Sequence, residues 1–580
     1  MLTLKQSPPI TIVATPEIAA CRAANAIICT INMNDNAGRP TKIGFATGNT
    51  MIPLYKELVG GYKRGHVSFK NVVGVNLDEY TVDKNHPDSY HTYMQQHLYS
   101  HVDINPENIY LPNGGGSDIS LACKEYETIL EEVGELDVQL LGIGVDGHIG
   151  FNEPPADKNS TVHIEKLDES TVAVNSPPSK YAITMGIANI LNSKTIILIA
   201  TGEAKADILC KLLETEADNP LIPASYIKSH PHTTVICDWG AVSKVSLVRD
   251  EVNKIVKRGA VNAISEVFTA EKRITITSPH PDDDVIGVGG AMSRYSGDCK
   301  MSVIYQTTGR NAVSESSLRH HDAFVKSIFK KPQISEKLIM MGIRRAEATI
   351  AAQLCGVDDV NFMEMPFYRR KRREKKPPHV EDNDVVAMEK IIEEKNPDIL
   401  IINGDVDPNH THVHCKTAIM RALKRINKDI IDLHTAPTGI DMTKTADMES
   451  LEIVEEFEND NAVDITTTNT TDTNTTNTTN TTNTTNTKII VYEYCSAWGE
   501  FSLSDVDVII PLTVEQLQIK EQAILAHESQ NPPTAHNGIP TPFHELAYNN
   551  ARDALLLLQK MGFEYPDQIA GIELLRKLDY

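Results

Sequence analysis

The sequence predicts an α/β protein of two tandem domains, each a doubly wound, mainly parallel sheet, with a disordered Asn/Thr-rich insertion in the second. Three observations predict it. Over the first 240 residues, short apolar runs ending in Gly, Asp or Thr alternate with longer segments of helical pattern. From residue 273 a second series of the same kind begins. Between its last two runs lies a tract of Asn and Thr, residues 466–487, without apolar periodicity.

In the first series the strand-like runs are "KIGFATG", "NVVGVNLDEY", "LDVQLLGIG", "TIILIATG" and "TTVICD". The segments "MIPLYKELVGGY" and "EAKADILCKLLE" read as helices between them. Short buried strands separated by helices form parallel sheets with crossover connections. Ligands in such sheets bind beyond the carboxyl ends of the strands, so polar residues there are site candidates. The first domain is assigned to residues 1–245 and a charged helical connector to 246–272. The second domain, 273–580, carries "RITITSPHPDDD", "KMSVIYQTTGR", "DVNFMEMPFY", "DILIINGDVDPNH" and "KIIVYEYCSAW". The tract 466–487 cannot bury enough apolar surface to offset ordering entropy and is expected to be a disordered loop.

The chain has 580 residues, too many for one core. Acidic residues outnumber basic ones, 78 to 55, for a formal charge of −23. This excludes broad binding to nucleic acid or an anionic membrane, while leaving room for a local site for an anionic metabolite. Nine scattered cysteines, none spaced Cys-x-x-Cys, fit a reducing compartment. No signal-peptide pattern and no apolar run of ~18 residues are evident, so a cytoplasmic protein is expected. A homo-oligomer is the expected assembly.

Polar residues cluster at several strand ends. Gly48, Asn49 and Thr50 lie between a strand and a helix, where backbone amides and a helix N-terminus favour an anion. Lys205 occupies a similar turn and offers a second contact to a phosphate; the alternative is a solvated lysine. "NLDEY" places Asp78 and Glu79 at a strand end, and "VDGHIGFNEP" adds Asp146, His148 and Glu153. The two carboxylates of the second stretch can orient His148 and raise its basicity, leaving Asp78 for a second proton. A merely hydrogen-bonded loop is the competing reading.

The second series differs in chemistry. "SPHPDDDVIGVGG" carries His280, Asp282, Asp283 and Asp284, and "GDVDPNHTHVH" carries His410, His412 and His414. Histidines and carboxylates at two strand ends suit zinc with an open position. The basic run "RRKRREKK", Arg369–Lys376, reads as a solvated loop, a lure for a phosphorylated substrate or a nuclear-localisation signal.

The order of "GFATGNT", "NLDEY", "HPDSYHTYM", "GVDGHIGFNEP", "YAITMGIANIL" and "GEAKA" over residues 10–240 resembles the glucosamine-6-phosphate deaminases. A similarly folded lactonase family shares the Asp-Gly-His core but not "FNEP". The resemblance implies an isomerisation with loss of ammonia that needs no cofactor. His148, held by Asp146 and Glu153, would assist ring opening. Asp78 would carry a proton from C2 to C1, while Gly48, Asn49, Thr50 and Lys205 hold the phosphate. Pro177 stands where many relatives have a phosphate-binding arginine, with Lys180 the nearby cation. His163 and Glu165 replace basic residues that bind an acetylated activator in some relatives.

Residues 273–560 resemble the PIG-L/LmbE-like de-N-acetylases, through the two clusters above and "RRAEA", "MPFY" and "HESQ". That resemblance implies a zinc enzyme acting on an N-acetylglucosamine compound. His280 and Asp283 would bind Zn2+, Asp282 would be the general base and Arg344 would contact substrate. The third ligand is His410 in one alignment and His412 in another. The family's leaving-group histidine is then replaced by Asp407 or Asn409, and Asp284 stands where glutamate is usual. The implied substrate class is a small amino-sugar phosphate, handled by fused deaminase and deacetylase domains. A deaminase with an inactive regulatory second domain, and a pair of non-catalytic sugar-phosphate sensors, are the other readings.

Overall fold

A computed structural model gives the fold; it describes residues 2–4, 8–258, 267–309, 313, 318, 336–369, 379–405, 410–426, 489–495, 501–527, 529 and 543–578. The Asn/Thr tract, the basic run from residue 370, Asp407 and Asn409 lie outside the described residues.

The first domain is built on an eight-stranded sheet. Its spatial order is β1 (Leu2–Leu4), β2 (Ile10–Val13), β11 (Thr233–Asp238), β10 (Ile196–Ala200), β7 (Val138–Leu141), β3 (Thr41–Phe45), β4 (Val72–Asn76) and β6 (Ile109–Tyr110). Every neighbouring pair is parallel except β1–β2. The chain winds outward through β4 and β6 on one side of β3 and through β10 and β11 on the other side of β7. The β3–β7 boundary is therefore a topological switch point, where a crevice opens at the strand carboxyl ends. β10 is buried along its whole length, as a strand covered on both faces requires.

The helix Pro16–Asn36 shows how local sequence serves this core. Thr15 caps it by accepting from the Ile18 amide, and Pro16 starts it without a wasted donor. Ala20, Ala23, Ala24, Ile27, Ile28 and Ile31 then recur at helical spacing and are buried. Each buried isoleucine contributes about 1.5–3 kcal/mol.

A small antiparallel sheet stands over the crevice, in the order β5 (Asp78–Tyr80), β9 (Tyr181–Thr184), β8 (His163–Lys166). The sequence run "NVVGVNLDEY" thus divides into β4 and β5, and Asp78 pairs with Thr184.

The second domain has seven strands in the order β14 (Asp359–Phe362), β13 (Lys300–Tyr305), β12 (Arg273–Ser278), β15 (Ile399–Asn403), β16 (Ile490–Tyr494), β18 (Ile569–Leu578), β17 (Val508–Thr513). The first five strands are parallel; β18 is antiparallel to both of its neighbours. Its switch point lies between β12 and β15. The helix after β12, Asp283–Tyr295, breaks at Val288 (φ −136°). The amides freed there, Gly290 N and Ala291 N, donate to Glu573 at 2.9 and 2.7 Å. Lys520 neutralises that buried carboxylate at 2.6 Å. A Cβ on Gly287 would lie 2.1 Å from the Tyr494 ring, so this helix reaches the sheet only through glycine.

The two domains share one apolar cluster. Val248 and Ile255, from the helix Ser246–Arg258 inside the segment read as a connector, join Leu503, Val506, Ile509, Leu555 and Leu558 in it. The Thr3 amide donates to Ser502 Oγ at 3.2 Å beside this seam. No helix among the described residues is long and apolar enough to cross a membrane.

Candidate active sites

The first site forms at the β3–β7 boundary. After β7, the chain turns at Gly147 (φ +99°) and places His148 over Gly144, where a Cβ would lie 2.3 Å from the imidazole. His148 Nδ1 is 2.7 Å from Asp146 Oδ1 and 3.2 Å from Glu153 Oε2. Burial opposes the charge on His148, but the hydrogen bonds and charges of these two carboxylates outweigh it and raise the pKa to about 9. Burial likewise opposes the Asp146 carboxylate, and its bond to His148 holds its pKa below the usual range.

Asp78 enters from β5. Its neighbour is Gly150, whose added Cβ would stand 3.9 Å from Asp78 Oδ2. Asp78 is 5% exposed, and its Oδ1 has no hydrogen-bond partner. Burial and the adjacent Glu79 charge push its pKa to about 8, against the pull of His148. Glu79 itself accepts from the amides of Tyr80, Tyr90 and His91 at 2.7–2.9 Å. It thereby ties β5 to the start of the helix Tyr90–His97. From that helix Tyr93 donates to Gly48 O at 2.8 Å, so Asp78 and the Gly48–Thr50 turn are linked through one short helix. In the sequence Glu79 stands at the same strand end as Asp78 but is given no role, and Tyr93 does not stand out, because its contact with Gly48 lies far along the chain.

Gly48 adopts φ +106°, and Thr50 stands at the N-terminus of the helix Met51–Lys63. Gly48 and Asn49 are exposed and Thr50 is half-buried. Lys205 donates to Ile143 O at 2.6 Å, at the end of β7, and burial lowers its pKa. All four expected acid–base residues and the expected anion-binding turns therefore border one crevice. Lys180 is exposed, and His163 pairs with Glu165 at 3.3 Å.

The second site occupies the β12–β15 boundary. Asp283 Oδ2 lies 3.2 Å from His280 Nδ1 and 3.1 Å from His412 Nε2, and the two ring nitrogens are 3.3 Å apart. Asp283 is buried, yet the two histidines keep its pKa well below the usual range. His412 lies in the first turns of the helix Thr411–Ile426 and is fully buried. His410 precedes that helix, at φ +57° and exposed, and is not brought to the cluster. With His410 outside the helix and His412 inside its first turn, the helix start presents only His412 to the cluster.

Asp282 accepts from Arg344 Nη2 at 3.2 Å. Asp284 faces inward, accepting from Tyr305 and Ser278 at 2.8 and 3.1 Å, and burial raises its pKa to about 7. Asp284 is thus a buttress of the loop rather than a neighbour of the histidines. Ligand atoms of His280, Asp283 and His412 lie within 4.8 Å of one another, as do those of Asp146, His148 and Glu153. The first set, two imidazoles and one carboxylate, matches the donors of an open zinc site. In the second set a single imidazole nitrogen faces both carboxylates, and Asp146 Oδ2 and Glu153 Oε2 have no hydrogen-bond partner.

Two tandem doubly wound domains, each with titratable loops at a switch point, are the class that fold and sites define. The chain belongs to the glucosamine-6-phosphate isomerase/6-phosphogluconolactonase family through residues 14–236 and carries a GlcNAc-PI de-N-acetylase domain at residues 275–423. It is 46% identical over 221 residues to a glucosamine-6-phosphate deaminase of Geobacillus sp. (strain WCH70), covering 37% of this chain and 86% of that one. Glucosamine-6-phosphate deaminase 2 of Bacillus subtilis (strain 168) is 39% identical over 235 residues, covering 39% and 93%. A solved monomeric glucosamine-6-phosphate deaminase is 37% identical, covering 40% of this chain and 98% of that one, with a TM-score of 0.39.

Proposed function

We propose that the first domain converts glucosamine 6-phosphate and water to fructose 6-phosphate and ammonia, and that the second removes the acetyl group from an N-acetylglucosamine compound with zinc. The observation that carries the first part is the buried Asp78 beside a histidine clamped between two carboxylates.

The phosphate sits on the Gly48–Thr50 turn, at a helix N-terminus, with Lys205 as countercharge. His148, with Nδ1 occupied by Asp146 and Glu153, uses Nε2 to move a proton between the ring oxygen and the anomeric hydroxyl, opening the sugar. Asp78 then takes the C2 proton and returns it to C1. A carboxyl group with a pKa of about 8 is suited to both halves of that transfer. The substrate's ammonium group at C2 favours the carboxylate form at the moment the base is needed. Water completes the loss of ammonia from C2. Each positioned acid–base group contributes ~10²–10⁴ in rate.

In the second domain His280, Asp283 and His412 are the proposed zinc ligands, with Asp282 the general base and Arg344 its buried neighbour. When bound there, zinc supplies Lewis acidity for amide hydrolysis and acidifies a nearby water. Arg344, 3.2 Å away, orients the Asp282 carboxylate to accept a proton. The amine released by deacetylation is of the kind the first domain consumes.

The test of the first part uses glucosamine 6-phosphate deuterated at C2. Transfer through Asp78 should deliver part of the deuterium to C1 of fructose 6-phosphate, and Asp78→Asn should abolish turnover. Complete loss of label to solvent, with Asp78→Asn still active, would remove Asp78 from the mechanism. Acetate release from N-acetylglucosamine compounds by the zinc-loaded chain tests the second part.

A further inference from the structure

Lys205 is held from two sides, and the mechanism above uses only one of them. On that side its ammonium donates to Ile143 O just past the end of β7, and the Asp146 charge acts on it. On the other side the turn that carries it, Gly202–Lys205, is tied to Asp238, a residue without a role so far.

Asp238 is the last residue of β11 and is 5% exposed. Its Oδ1 accepts from the Gly202 amide at 2.8 Å and from the Ala241 amide at 3.2 Å. β10 and β11 run parallel with Ala200 opposite Cys237, so the turn after β10 starts beside Asp238. One carboxylate oxygen thus joins the turns that follow two neighbouring strands. Gly202 takes φ +84°, a conformation open to glycine without steric cost. The Lys205 amide closes the turn by donating to Gly202 O at 3.0 Å. A Cβ on Gly240 would lie 3.3 Å from the Glu203 nitrogen, so the two turns also pack backbone to backbone.

The strands themselves do not depend on this carboxylate, since β10 and β11 are paired along their length. What it fixes is the backbone from which the Lys205 side chain starts. The Ile143 carbonyl fixes the other end of that side chain. An ammonium has three donors, and this contact uses one, which leaves two for an anion. A long side chain anchored at both ends has little freedom left to lose when it binds.

We propose that Asp238 is a positioning residue of the first site: by holding the Gly202 amide it presets the Lys205 ammonium for the substrate's phosphate. This rests on the reading of Lys205 as the countercharge of that phosphate. Asp238 acts only through Lys205 and touches neither sugar nor phosphate.

The experiment is a double-mutant cycle on the full chain. Ammonia release gives kcat and KM for glucosamine 6-phosphate, and inorganic phosphate serves as a competing probe of the anion subsite. Lys205→Met should raise KM and the phosphate inhibition constant about thirty-fold, the loss of a hydrogen-bonded charge. Asp238→Ala should raise both about five-fold, the cost of ordering one long side chain, with kcat nearly unchanged. In the Lys205→Met background Asp238→Ala should add nothing, because the side chain it positions is gone. Asp238→Asn, whose carboxamide oxygen can still accept from both amides, should recover most of the affinity. Gly202→Ala strains the same turn without altering β11; it should match Asp238→Ala and likewise add nothing to Lys205→Met, a check that stands even where Asp238→Ala does not fold.

The proposal is overturned if Asp238→Ala and Gly202→Ala weaken phosphate equally in both backgrounds, which marks a general structural role. It is also overturned if they leave phosphate inhibition unchanged, or if they lower kcat instead of raising KM. If Lys205→Met itself leaves KM and phosphate inhibition unchanged, the countercharge reading fails and takes this proposal with it. A strong Lys205→Met effect with an additive or absent Asp238 effect overturns the proposal alone.

Discussion

His148 Nδ1 lies 2.7 Å from Asp146 Oδ1, and this contact makes the histidine a stronger base than its burial allows. Asp146→Asn removes the charge but preserves the shape. The alkaline limb of kcat/KM, set by a histidine pKa of about 9, should move toward the ordinary 6.5. The rate at the optimum should fall ~10²-fold or more. A pH–rate profile checks both.

Asp78→Asn should trade activity for stability. The folded pKa of about 8 lies above the reference value of 3.8, so Asp78 favours folding in its neutral form. Its contribution is fully present below pH 3.8 and is lost as pH rises through about 8. The variant should therefore melt higher than the unaltered chain, with an advantage that grows between pH 5 and 8 by up to ~1.4 kcal/mol per pH unit. Melting curves across that range should show the widening gap, while turnover falls by ~10² or more.

Much of this first site was legible in the sequence, because its residues lie in loops that follow apolar runs. The Gly48–Thr50 turn, the Asp146–Glu153 loop and Lys205 could be placed by that rule alone. The β5–β9 pairing that sets Asp78 opposite Thr184 could not, since it joins residues distant in sequence with no local period to announce it. In the second domain β17 and β18 were missed. Pro511 argues against a central strand, and β17 accepts it because it is the edge of the sheet. The choice between His410 and His412 depends on where the helix Thr411–Ile426 begins, a boundary that sequence patterns locate poorly.

That choice has a direct consequence. With zinc held as proposed, at about one per chain, His412→Ala should lose it, since an open site has three protein ligands. His410→Ala should retain it. Metal analysis after gel filtration separates the two, and deaminase activity should be unchanged in both variants.

The shared apolar seam predicts that the domains melt together. Leu558 is fully buried in the cluster that contains Val248 and Ile255 of the linking helix. Leu558→Ala should cost about 2–5 kcal/mol. Heat inactivation of the deaminase and heat release of zinc should then shift downward by the same interval. A shift in zinc release alone would mean that the seam does not couple them.

Removal of residues 466–487 should leave both activities and the melting temperature nearly unchanged, because a tract of Thr and Asn with one Asp has no apolar side chains to bury. A fall of many degrees would show that the tract packs against a domain.

The most direct measurement incubates the purified full chain with glucosamine 6-phosphate in the presence of a metal chelator and quantifies both products. Ammonia and fructose 6-phosphate should appear in equal amounts at an undiminished rate, because the proton transfers are assigned to Asp78 and His148 alone. No ammonia, or turnover that the chelator abolishes and added metal restores, would contradict the assignment of these residues to a metal-independent deaminase.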